Sequence, residues 1–184
     1  MAQPGEPQAR SLIGSLLDRE RRLVPRLEGV LRFDAATYRE IEADPHAIPQ
    51  SLAVVVATSI LAALGQGGLV SIFLGLGAVI VLWMAVTGLI WVVGLATTGG
   101  SADFARLLRC TGFAYVWFAL LLFGSFPIVG ALCAWGAVLL SLASLVIATR
   151  VVLETDTSRA LVICAIALGV PLLVLLGLGA LAGS

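Results

Sequence analysis

The chain has 184 residues, of which 60% are hydrophobic and 12% are charged, with equal numbers of basic and acidic side chains. A soluble domain is about half apolar and about a quarter charged, so this composition excludes an ordinary water-soluble protein. Charged residues are absent from 45–102, 110–149 and 160–184, tracts of 58, 40 and 25 residues. At roughly 20 apolar residues per membrane-spanning helix, these tracts predict two, two and one transmembrane helices.

The N-terminal region, residues 1–47, is predicted to be cytosolic, helical and amphipathic. Apolar side chains recur at helical spacing within it, and residues 9–32 carry six arginines against three acids. Pro25 is expected to divide this stretch into two helices, because proline removes a backbone hydrogen bond. Anionic lipid offers about 1 kcal/mol per basic residue, so we expect contact with the membrane surface, with packing onto the helix bundle as the alternative. The candidate membrane-surface contacts, two of them at the start of the third span, are Arg19, Arg22, Arg26, Arg106 and Arg109.

Residues 44–49, DPHAIP, are predicted to form an elbow between an interfacial helix and the first membrane helix. Asp34 is suited to cap the interfacial helix. Pro45 ends that helix, because a residue that precedes proline is pushed out of the helical region. Pro49 suits the first turn of the membrane helix that follows.

The remaining chain, residues 48–184, is predicted to be an all-α integral membrane domain with a bundle of about five transmembrane helices. Glycine and proline clusters at 65–68 and 124–127 divide the two longer uncharged tracts. Membrane strands are excluded because the tracts are apolar at both alternating positions. The predicted spans cover about 49–65, 69–96, 103–124, 127–149 and 157–182.

The third predicted span is short, since about 15 residues separate Arg109 from the glycine at its end. Its first turns are therefore expected to be partly hydrated, with Arg106 and Arg109 reaching towards the lipid headgroups. Re-entrant third and fourth segments stay open as an alternative to two full crossings.

Arginine placement predicts the orientation. Seven arginines precede the first span, two lie between the second and third, and two lie between the fourth and fifth. These segments fall on one side of a five-span layout, and the connections on the other side carry no charge. The positive-inside rule thus predicts a multi-pass protein with a cytoplasmic N-terminus and an external C-terminus. In a bacterium the membrane would be the cell inner membrane.

Three stretches resemble a known family. The stretch VLRFDAATYREIEADPHAIPQSL at 30–52 looks like the segment leading into the first span of the Yip domain family, the Ypt/Rab-interacting multi-pass membrane proteins, in its bacterial-type members. LLRCTGFAYVWFAL at 107–120 resembles the start of the family's third span, and ETDTSRALVI at 154–163 resembles the polar turn before its last span. The resemblance implies five spans, a cytosolic N-terminus and no known enzymatic activity. It implies a Rab-type GTPase as partner only if the chain is eukaryotic.

Candidates for chemistry are few. Catalysis needs a positioned acid, base, nucleophile or metal, and the single histidine, His46, lies in the predicted elbow. We therefore expect no enzyme, no catalytic, cofactor-binding or metal-binding residues, and no cofactor. Coupled transporters carry charges that face the bundle, and the uncharged tracts offer none.

The fourth span carries the clearest pattern, because small residues repeat every three or four positions along one face. Such a face lets helix backbones approach closely. Packing within the monomer, self-association and docking of another protein are the alternatives. The candidate helix-packing face consists of Gly130, Ala134, Ala137, Ser141, Ser144 and Ala148.

These observations predict a non-enzymatic multi-pass membrane protein that organises membrane components or serves as an accessory subunit through helix packing. Its expected partners are the lipid bilayer and either other membrane proteins or further copies of itself, with no nucleic acid. The alternative function is a small channel or permease for an uncharged or lipidic substrate.

Overall fold

The structure, a computed structural model, describes residues 22–65, 69–99 and 103–182, with the backbone alone at 69–75 and 172–182. Every regular element in these ranges is a helix. Helix α1 covers residues 22–31, and α2 covers Ala35–Ala43. The later elements are α3 (Ala47–Gly65), α4 (Leu69–Thr98), α5 (Phe104–Ala114), a 3-10 helix (Tyr115–Ser125), α6 (Pro127–Val152) and α7 (Thr157–Ala182).

The apolar helices form a membrane bundle. Within the part of the chain that the structure describes, four helices are long and apolar enough to cross a membrane, and α7 adds a shorter apolar helix over Thr157–Pro171. The all-α membrane fold predicted from composition is therefore confirmed, and the protein is an integral multi-pass membrane protein. The five predicted spans fall on these helices, with ends within three residues of those observed.

The third span changes its helix type midway. It is α-helical over Phe104–Ala114 and 3-10 helical for the next 11 residues, a long run for a helix type that rarely exceeds about four residues. The rise per residue is about 2.0 Å in a 3-10 helix and about 1.5 Å in an α-helix. The stretch from Cys110 to Ser125 therefore covers about 30 Å, the thickness of the hydrocarbon core, whereas a purely α-helical stretch would cover about 24 Å.

This stretched helix is long and apolar enough for a full crossing. At its end, the Ser125 hydroxyl donates a hydrogen bond of 2.6 Å to the carbonyl of Gly65, the last residue of α3. Helix α6 then returns across the bundle, and its final residues, Val151 and Val152, share a buried cluster with Tyr38 of α2.

Small residues allow the close approach of the third span to its neighbours. A Cβ atom on Gly65 would lie 2.1 Å from the carbonyl oxygen of Leu121. One on Gly112 would lie 2.5 Å from the Cβ of Ser51. Backbones can meet at these distances only where side chains are absent or minimal.

The buried core lies towards the end of the bundle that carries α1 and α2. It joins Val30 and Ile41 of those two helices to Leu107 and Phe113 of α5 and to Ile163 of α7. Towards the opposite end, large apolar side chains such as those at the start of α6 are exposed, as expected where lipid replaces protein contacts.

Candidate functional site

Arg26 of α1 is buried where three helices meet, with 2% of its surface exposed. Its Nε donates to Glu40 Oε1 at 3.1 Å and its Nη2 to Asp44 Oδ2 at 2.8 Å. Its Nη1 donates to Gln50 Oε1 at 2.6 Å. A buried guanidinium costs several kcal/mol unless its donors are paired, so these partners are what allow the burial. We call these four residues the Arg26 cluster, and it joins α1 to α2 and to the start of α3.

The prediction that Arg26 contacts the membrane surface is therefore wrong. The acidic stretch that follows α1 supplies two carboxylates at hydrogen-bond distance, and a bound headgroup could not reach a guanidinium enclosed by three helices. The N-terminal helices rest on the bundle, which was the alternative. Arg22 is exposed on α1, so its contact with lipid stays a prediction, and Arg19 lies outside the described residues.

Pro25 does not divide the first helix in the described residues, because α1 continues on both sides of it. The break expected at this position is therefore wrong. Continuation of the helix carries Arg26 and Val30 onto one side, about one helical turn apart, and both side chains are buried.

Helix α2 covers the first turns of the third span. The Nη1 of Arg109 donates to the backbone carbonyl of Glu42 at 2.8 Å, and the Nη1 of Arg106 lies 3.5 Å from the Glu42 carboxylate. The thiol of Cys110 points to the carbonyl of Tyr38 at 3.5 Å. Arg109 is half-buried against α2, while Arg106 is exposed, so only Arg106 keeps a clear path to the headgroups.

The turn between α1 and α2 places an aromatic ring on the third span. The Phe33 ring stacks on that of Trp117, with centroids 5.3 Å apart and planes inclined by 14°. Phe33 has a φ of 57°, in the left-handed region that glycine favours. The amide of Asp34 donates to the carbonyl of Gly29, and that of Phe33 to Val30. This pair of bonds is the Schellman arrangement that closes a helix.

Asp34 caps α2 as predicted. Its carboxylate accepts hydrogen bonds from the hydroxyl and amide of Thr37 and from the amide of Ala36. These bonds favour the ionised form and hold the pKa of Asp34 below its ordinary value. At Asp44, burial favours the neutral acid, but the hydrogen bond from Arg26 and the amide of His46 outweigh it and lower the pKa.

The predicted helix-packing face of α6 lies inside the molecule. Gly130, Ala137, Ser141, Ser144 and Ala148 are buried, and Ala134 is half-buried. The indole Nε1 of Trp117 donates to the Ser144 hydroxyl at 3.0 Å, so this face packs on the 3-10 helix. This face is therefore used for packing within the monomer, which was one of the three alternatives.

A polar cleft of about 420 Å³ opens between α2 and the turn that follows α6. Thr155 and Val151 line part of it. The rest of the lining is charged and consists of two arginines and two glutamates: Arg39, Glu42, Arg150 and Glu154. Sequence reasoning missed this cleft and the Arg26 cluster. The only signal for them was the net positive charge of residues 9–32 beside the net negative charge of 33–47, which permits pairing but names no partners.

The described residues contain no group of three or more His, Cys, Asp or Glu side chains placed to hold a metal ion. A family model for the Yip1 domain matches residues 29–179, from the end of α1 into the last turns of α7. The predicted family resemblance is therefore confirmed, while the bacterial-type assignment stays a prediction. No curated protein and no solved structure matches the chain.

Proposed function

Since the chain belongs to the Yip1 domain family, we propose that it is a non-enzymatic accessory protein that binds another membrane protein through its cytosolic face. The Arg26 cluster carries this proposal. It fastens α1 and α2 to the bundle, so the charged side chains of α2 are held in a fixed arrangement at the membrane surface. Pre-ordered groups lose less conformational entropy on binding than mobile ones do.

The polar cleft is the proposed contact area. Each side of the cleft, α2 on one side and the end of α6 with its following turn on the other, contributes one arginine and one glutamate. A phosphate headgroup would meet the two carboxylates as well as the two guanidinium groups, whereas a protein segment with charges of both signs can match them. Complementary charges of this kind determine which partner binds more than how tightly it binds.

Non-enzymatic character forms part of the proposal. Two of the charged side chains near the cleft are engaged in structure, since Arg26 pairs with Asp44 and the Nη1 of Arg109 donates to a backbone carbonyl. Burial raises the pKa of the Tyr38 hydroxyl above its ordinary value, so this group has no shift towards the neutral range that an acid–base catalyst needs.

The orientation proposed for this function is a cytoplasmic N-terminus and an external C-terminus. In support, α2 packs on the start of α5 and on the end of α6. The arginines of these three helices therefore lie at the same end of the bundle. The positive-inside rule places such a face in the cytoplasm.

Purification from native membranes in mild detergent, with partners quantified by mass spectrometry, tests the proposal. We expect a partner at about one copy per chain with the wild-type protein. The double variant Arg39→Glu with Arg150→Glu should reduce its recovery at least tenfold, because two attractive charges become repulsive.

Arg32→Glu is the matched control, since Arg32 is exposed at the end of α1 and does not line the cleft. It should leave partner recovery unchanged. A stoichiometric partner lost equally in both variants, or absent from the wild-type preparation, would contradict the proposal. Flux of an uncharged solute through liposomes holding the purified chain alone would favour the channel or permease.

A further inference from the structure

A second cavity lies inside the membrane part of the bundle, well away from the polar cleft. It has a volume of about 130 Å³, is open on one side, and is lined by α4, the third span, α6 and α7. Its lining is almost entirely apolar and includes Val86, Phe118, Leu145 and Leu168. Val138 stands at its rim with 50% of its surface exposed, so the cavity is reached from the lipid side.

One polar group in this cavity has no partner. Ser141 lines the wall with 9% of its surface exposed, and its Oγ is buried without a hydrogen bond to any described residue. Other buried hydroxyls in the spans are paired, as Thr58 is to the carbonyl of Val54 and Ser144 to Trp117. A buried hydroxyl without a partner is costly, so the unpaired Ser141 points to a bonding group that enters the cavity.

Neither water nor a plain acyl chain suits this cavity. A buried water needs two to four polar partners, and the lining offers the hydroxyl of Ser141 with Tyr115 as its only other polar side chain. An acyl chain would fill the apolar space but leave the Ser141 hydroxyl unpaired. Ser141 also lies near the middle of α6, at a depth where a charged headgroup is strongly disfavoured.

We propose that this cavity binds the end of an uncharged long-chain lipid that carries one hydroxyl or carbonyl group, with Ser141 as its hydrogen-bond partner. The polar group bonds to the Ser141 Oγ, the adjoining carbons fill the apolar lining, and the rest of the chain leaves past Val138 into the bilayer. This binding site is independent of the cytosolic partner proposed above.

Photolabelling tests the proposal with the full chain in phosphatidylcholine vesicles. The probe is hexadecanol with a diazirine near its hydroxyl group. We expect labelling on residues that line the cavity, and competition by unlabelled hexadecanol but not by hexadecane. Ser141→Ala should lower labelling about fivefold, the value of one ordinary hydrogen bond, and should abolish the preference for the alcohol over the alkane.

Val138→Phe provides a second variant, because it blocks the rim from a half-exposed position without changing the buried wall. It should remove the labelling. Leu139→Phe is its matched control, since Leu139 is adjacent, 61% exposed and not part of the lining. Labelling that survives Val138→Phe, falls equally with Leu139→Phe, or is competed equally by hexadecane would overturn the proposal.

Discussion

Phe33 and Trp117 stack with their ring centroids 5.3 Å apart, although 84 positions separate them in the sequence. This contact joins the turn after α1 to the 3-10 part of the third span. Trp117 in turn donates to Ser144 of α6. A single line of contacts therefore runs from the turn after α1 through the third span to α6. The stacking on Trp117 explains why a bulky residue occupies a backbone position that favours glycine.

Phe33→Ala should destabilise the protein by about 1–2 kcal/mol, because it removes the stacked ring while keeping the unfavourable left-handed backbone. Phe33→Gly loses the same ring but relieves the backbone, so it should be more stable than Phe33→Ala by about 0.5–1 kcal/mol. Thermal unfolding in detergent, followed by circular dichroism, measures both. Equal stabilities of the two variants would show that the turn does not constrain Phe33.

Arg26→Met should loosen α1 from the bundle. The change leaves Asp44 and Gln50 without their shared donor, and because Glu40 and Asp44 remain partly hydrated we expect a loss of about 2 kcal/mol. Amide hydrogen exchange over residues 22–31 should accelerate about thirtyfold. The control is Arg32→Met, whose ion pair with Glu28 is exposed and should contribute less than about 0.5 kcal/mol.

Gly65→Ala should separate α3 from the third span. Its new Cβ would lie 2.1 Å from a backbone oxygen of Leu121, and relief of such overlap costs about 1–3 kcal/mol. Gly88→Ala is the matched control in α4, since a Cβ there meets nothing within 4 Å. It should leave the unfolding midpoint unchanged or raise it, because alanine favours helix. A similar loss in both variants would argue against the close approach.

Acid should weaken the docking of α1 and α2. The pKa of Asp44 lies below its ordinary value of 3.8 in the folded protein, so folding favours the carboxylate. The stabilisation is present above pH about 4 and is lost as the pH falls through the lower folded pKa. The unfolding midpoint should therefore drop between pH 5 and pH 3 by more in the wild-type protein than in Asp44→Asn, which has already lost the ion pair with Arg26.

Cysteine labelling tests the orientation in a background without the native cysteines. Thr155→Cys lies in the turn after α6, and Phe126→Cys lies at the opposite end of that helix on an exposed residue. A membrane-impermeant maleimide applied to intact cells should label Phe126→Cys alone. Labelling of Thr155→Cys alone would reverse the topology.

The sequence by itself determined that the protein is an all-α integral membrane protein, and it predicted where the apolar helices begin and end to within three residues. Lipid cannot hydrate charged side chains or unpaired backbone groups, so long uncharged tracts must form helices. Pro45, Pro127 and the glycine clusters between them mark where these helices begin and end. The capping role of Asp34 was also predictable, because a cap depends on residues within one turn of it.

Only the tertiary structure decided where the charges of the N-terminal region go. Arg26 could have bonded to lipid phosphate or to carboxylate, and local sequence does not tell which partner lies nearer once the helices fold back. The same holds for the third span, which becomes a 3-10 helix where it packs between α3 and α6. The tertiary structure also distinguishes Ser141 from Ser144, although both are serines on the same face of α6. Among the described residues, Ser144 accepts a hydrogen bond and Ser141 has no partner.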